Sequence, residues 1–78
     1  MTLETRVQQL VATTLKLSLD RVGASADTDS LPAWDSVGQV NVIMALEQTF
    51  DIYVEPEEFA RLNSIQAIVE YLSAQGVA

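Results

Sequence analysis

"WDSVGQVNVIMALEQTF", Trp34 to Phe50, is the most apolar segment of the chain. From Ser36 onward it lacks proline and is dense in good helix formers apart from Gly38, which predicts a helix from Ser36 to about Phe50. At about 100° per residue, Val42, Ile43, Leu46 and Phe50 gather on one side, while Val37, Val40 and Met44 gather nearly opposite. Both sides cannot easily face one small core. The stripe with Leu46 and Phe50 is the larger and is assigned inward. The Val37, Val40, Met44 stripe is then either covered by flanking loops or exposed as an apolar patch for a partner.

Before this helix, Lys16 to Trp34 carries no helical period and is rich in turn formers, among them Gly23, Ser25, Asp27, Asp29, Ser30 and Pro32. A connection of that length in a small domain either carries function or packs down through its own apolar residues, here Leu17, Leu19, Val22 and Leu31. Earlier still, Leu3, Val7, Leu10, Val11 and Leu15 trace one face of a first helix. Thr2 followed by Thr5 makes no capping box, although Thr2 can cap alone.

After "DIYV", Pro56 suits a first helical turn, and Glu57 and Glu58 suit its dipole, so one or two turns are expected there. Asn63, three residues before Gln66, reads as a capping-box-like start to a last helix with Ile65, Ile68, Val69 and Leu72 on one face. Gly76 is placed to end it. The expected architecture is all-α: three main helices plus one short helix in a single domain, residues 1–78, with a long loop between helices one and two.

Asp-Ser occurs twice, at Asp29-Ser30 and Asp35-Ser36. Ser30 lies two residues before Pro32 in the turn-rich segment and belongs to a turn. Ser36 stands at a helix N-terminus, where unpaired N–H groups and the dipole favour an anion such as a phosphate ester. The plainer reading is a cap, with Ser36-Val37-Gly38-Gln39 as S-x-x-Q and Asp35 itself a good capping residue. As a nucleophile in its own right Ser36 lacks any histidine, and only Lys16 stands as an amine base, so a serine hydrolase is excluded.

The 78 residues leave little room for a deep cleft, and the absence of cysteine and histidine removes disulfides, thiolates, imidazole bases and the usual zinc ligands. A net charge of −7, from 11 acidic against 4 basic residues, argues against nucleic acid and for partners with basic surfaces. The N-terminal "MTLETRVQQL" lacks a basic region followed by an apolar run, and no apolar stretch approaches membrane-spanning length; a cytoplasmic monomer is expected. Asp27-Thr28-Asp29 opens like a calcium loop but places Pro32 and Gly38 where that loop needs glycine and glutamate, so no metal site is expected.

Ser36 within "WDSVGQVNVIMALEQTFDIYVEPEEFARLNSIQAIVEYL" resembles the phosphopantetheine attachment serine of acyl carrier proteins. The resemblance spans nearly the whole chain: Asp35-Ser36-Val37 for the family's Asp-Ser-Leu, Met44-Ala45-Leu46-Glu47, Phe50-Asp51, Glu57-Glu58, Ile65-Gln66-Ala67 and Tyr71-Leu72. In the loop, "LSLDRV" matches an apolar turn that the family places after helix one. It implies a four-helix bundle of the acyl-carrier type that is not itself an enzyme. A phosphopantetheinyl transferase would load 4′-phosphopantetheine onto Ser36, with Asp35 supporting. An acyl or aminoacyl ligase or transferase and downstream synthase enzymes would then use the arm, docking on Trp34, Val37, Val40, Met44, Glu47, Glu57 and Glu58.

Two departures narrow this expectation. Ala33 and Trp34 stand where fatty-acid carriers often place glycine and a small residue; Trp34 either covers the helix-two apolar stripe or lies exposed where a partner or the pantetheine arm touches it, and burial in the loop is the favoured reading. Helix two, strongly acidic in those carriers, here keeps Glu47 as its only interior acid, which weakens steering through it. Both favour a specialised lipid, polyketide or aminoacyl pathway. The rival reading is an unmodified helical interaction module that uses the Val37, Val40, Met44 stripe.

Overall fold

The computed structural model describes residues 2–77. Helix α1, Leu3–Leu15, is capped by Thr2 alone, whose side chain accepts from the Thr5 N–H. It ends at Lys16 in the left-handed region, φ 60°, where the Lys16 and Leu17 N–H groups reach back to Thr13 O and Ala12 O. Val7 and Val11 are fully buried, with Leu3, Leu10 and Leu15 packed beside them. The periodic face is thus the core face.

The loop that follows is packed down. A 3₁₀ turn at Leu19–Arg21, which hydropathy did not reveal, brings Val22 into the core, where the Gln8 amide donates to its carbonyl at 2.9 Å. Ala26, Leu31 and Trp34 are buried as well. Leu19 departs from expectation: it is 45% exposed, because the tight turn that buries Val22 points Leu19 outward. Farther on, Thr28 N–H donates to Asn63 O and Ile65 N–H to Ala26 O, so the loop is stitched to the start of the last helix by an isolated antiparallel bridge between Asp27 and Ser64.

Helix α2 spans Ser36–Phe50, as its pattern predicts, and Val42, Ile43 and Leu46 are its inward stripe. The short helix is a 3₁₀ helix at Pro56–Arg61 that opens on Pro56. Helix α3, Ile65–Ala74, buries Ile65, Ile68 and Leu72. Its cap is Ser64, whose Oγ accepts from Ala67 N–H at 3.0 Å, and not Asn63. Ser64 is extended in its bridge to Asp27, so the helix starts after it, and Gln66 forms no capping box but donates to Glu4 Oε2 at 2.6 Å and to Ala24 O at 3.2 Å. Gly76, at φ 85°, closes the helix with the Gly76 and Val77 N–H groups returning to Ser73 O and Leu72 O.

Helix α1 packs against both α2 and α3, and the Pro56–Arg61 helix packs on α2. The fold is an all-α bundle, with its long connection lying between α1 and α2. Among the described residues no helix is long and apolar enough to cross a membrane.

Candidate functional site

Asp35 is the cap of α2: it is extended, and its Oδ1 accepts from the Gly38 N–H at 2.8 Å. Ser36 is therefore the first helical residue rather than the cap, and its side chain is exposed. None of the hydrogen bonds among the described residues uses its hydroxyl. Ser30 differs sharply. Its Oγ accepts from Asp27 N–H and donates to Asp27 O, while its own N–H donates to Asp27 Oδ1 at 2.8 Å. That reciprocal turn holds the hydroxyl in place, so only Ser36 offers a free one at a helix N-terminus.

Gly38 explains how Ser36 is presented. A Cβ at this position would lie 2.6 Å from Ala33 O and 2.9 Å from Leu15 Cδ2, so the first turn of α2 runs against the loop backbone and the end of α1. Only glycine permits that approach.

Gln39 does not form the S-x-x-Q box suggested by spacing. Its Oε1 accepts from the Trp34 indole N–H at 2.6 Å, and its Nε2 donates to Phe59 O at 2.7 Å and Leu62 O at 2.9 Å. Trp34 is accordingly 1% exposed and belongs to the core, which corrects its assignment to a partner surface. A buried indole N–H needs an acceptor, and Gln39 supplies it. Sequence spacing gave no sign of this network, because two of its three partners lie 20 and 23 residues away.

The remaining expected residues divide by exposure. Val37, Val40 and Met44 are 71%, 48% and 51% exposed, so no loop covers the second stripe. Glu47 is half-buried and its Oε2 accepts from the Val54 N–H at 3.0 Å, which gives it a structural duty in the turn after α2. Glu57 is exposed, and Glu58 faces Arg61 at 3.7 Å. No three acidic side chains among the described residues converge on a metal-sized site. An open groove of about 530 Å³ lies beside Ser36, lined by Thr28, Trp34, Asp35, Gln39, Phe59, Ala60 and Asn63.

The family model for the phosphopantetheine attachment site matches residues 5–72. The chain belongs to that family, the acyl-carrier proteins. Members of the acyl-carrier family carry covalently attached 4′-phosphopantetheine and are carriers rather than catalysts; a phosphopantetheinyl transferase and biosynthetic enzymes are the partners this implies. The residues present fit the group. Ser36, exposed at the start of a 15-residue helix, would hold the phosphodiester where the positive end of the dipole favours an anion. The adjoining groove offers both apolar and hydrogen-bonding walls to an amide-containing arm.

Proposed function

We propose that this acyl-carrier protein bears its 4′-phosphopantetheine on Ser36 and holds acyl or aminoacyl intermediates for a specialised lipid, polyketide or aminoacyl pathway in the cytoplasm. The observation that carries the reading is the exposed, unengaged Ser36 hydroxyl at the N-terminus of α2, against the locked Ser30 hydroxyl.

In loading, the Ser36 oxygen attacks the pantetheine-side phosphorus of coenzyme A. The new P–O bond replaces the pyrophosphate bond, adenosine 3′,5′-bisphosphate leaves, and the hydroxyl proton passes to a base of the transferase. The chain has no histidine to take that proton. Once attached, the cofactor supplies a terminal thiol that carries cargo as a thioester. Tethering raises the effective concentration of that cargo at each docked enzyme, which is why a carrier needs no catalytic side chain. Asp35 contributes by capping, and so orienting, the turn that displays Ser36.

The specialised assignment rests on α2. Its outward face, Val37, Val40, Asn41, Met44 and Gln48, carries no charge, and Glu47 is engaged with Val54. Enzymes that dock there meet apolar surface rather than a row of acids. A general fatty-acid ketosynthase and malonyl transferase should use the holo protein poorly beside their own carrier; equal use would remove the specialised reading.

The deciding experiment is intact mass before and after incubation with a broad-specificity phosphopantetheinyl transferase, magnesium and coenzyme A, with fragmentation to place the adduct. One phosphopantetheine on Ser36, retained in Ser30→Ala and absent in Ser36→Ala, is expected. A folded sample that gains no adduct while a known carrier is labelled alongside supports the unmodified interaction module instead, with Val37, Val40 and Met44 as its surface.

A further inference from the structure

A chain tethered at Ser36 has two places to go: along the open groove beside it, or down between α2 and the Pro56–Arg61 helix into the apolar core. Gln39 stands at that fork. It lies one turn beyond Ser36 on α2, it is half-buried, and it lines the groove. Its side-chain amide ties α2 to two segments at once: the loop through Trp34 Nε1, and the end of the Pro56–Arg61 helix through the Phe59 and Leu62 carbonyls. Both amide hydrogens and the amide oxygen are used, so any opening of this seam breaks the two bonds to the Phe59 and Leu62 carbonyls together and strands buried polar groups. Immediately beneath, Ile43, one turn farther along α2, and Leu62 are 1% and 2% exposed. Trp34, the largest buried side chain, fills the space behind the clasp.

We infer that Gln39 is a specificity-determining clasp that seals the α2 seam, so that the arm and its cargo lie in the groove walled by Thr28, Phe59, Ala60 and Asn63 and stay out of the core. The inference rests on Ser36 being the loaded residue. It deepens that reading by naming the cargo class: groups that need no enclosure, short or polar acyl and aminoacyl groups, rather than long alkyl chains that gain most from burial.

The test uses the whole protein loaded with an octanoyl probe through a non-hydrolysable amide, transferred from the corresponding coenzyme A analogue, with methyl NMR as the readout. Against the form that carries unacylated phosphopantetheine, the wild-type protein should show shifts at the Thr28 and Ala60 methyls and none at Ile43, Leu46 and Leu62. Gln39→Glu, which keeps the size but points oxygens at two carbonyls, should spread the shifts to Ile43 and Leu62. Gln39→Met, which keeps the volume without polar atoms, should do the same. A merely structural Gln39 would lower stability without moving the cargo. Core shifts in the wild-type protein, or an unchanged pattern in both variants, overturn the clasp. If Gln39→Glu fails to fold, Gln39→Met and the wild-type spectrum still decide. Absence of the adduct by mass overturns the Ser36 reading and this inference with it, a result distinct from an adduct whose octanoyl group enters the core.

Discussion

Ser30 and Ser36 both follow an aspartate, and their surroundings separate them. Asp27 engages the Ser30 hydroxyl, whereas Asp35 spends its own carboxylate on the Gly38 N–H and leaves Ser36 exposed. Because Asp35 is the cap, Ser36→Ala should change stability by no more than about 0.5 kcal/mol in urea unfolding while abolishing loading. Asp35→Ala should cost about 1 kcal/mol. A second residue-scale prediction concerns Gly38. Alanine ordinarily gains ~1 kcal/mol over glycine inside a helix. Here its Cβ would meet the Ala33 carbonyl at 2.6 Å, a backbone contact that cannot simply rotate away. Overpacking of this kind costs about 1–3 kcal/mol, so Gly38→Ala should lower the unfolding midpoint rather than raise it.

Among elements, all three α-helices end on a residue with positive φ or on its neighbour: Lys16 after α1, Asp51 after α2 and Gly76 after α3. Only the last is glycine. A Cβ in the left-handed region costs roughly 1–2 kcal/mol, and Lys16 is exposed, so its side chain gives little back through packing. Lys16→Gly should therefore stabilise the protein by about 0.5–1 kcal/mol after the greater unfolded-state freedom of glycine is counted, as read by chemical denaturation. Helix α2 has the opposite character. Its two apolar stripes, and the larger one as core, were legible from periodicity, but only the packed fold decided that no loop covers Val37, Val40 and Met44.

For the molecule as a whole, the excess of acid is felt where chain-distant groups meet. Tyr71 on α3 has its phenol pushed above its usual value of 10.0, first by burial and then by the charges of Glu58, Glu55 and Glu47. The folded state therefore holds this proton more tightly than the unfolded chain. The corresponding stability is fully present below the unfolded value and is lost as pH rises through the raised folded one. In a Tyr53→Phe background, phenolate absorbance should show Tyr71 ionising above 10.0, with Glu58→Gln moving it downward; a curve unaffected by Glu58→Gln would remove Glu58 as a cause. No local pattern exposes this coupling, since α3 and the acids that face Tyr71 meet only in the folded bundle.

The helices, their apolar faces, the turn character of residues 16–35 and the two Asp-Ser pairs were fixed locally, by periodicity, capping chemistry and the stiffness of proline, and so could be read from the chain alone. Tertiary structure decided the rest. Gln39 became a clasp because two of its partners, Phe59 and Leu62, arrive from 20 or more residues away while its amide oxygen takes the indole N–H of Trp34. Ser64 displaced Asn63 as the cap because its bridge to Asp27 holds it extended, and Gln66 meets Glu4 and Ala24 instead of a capping box. In each case a side-chain amide has equal hydrogen-bonding capacity toward near and distant partners, and only the packed fold determines which of them it meets.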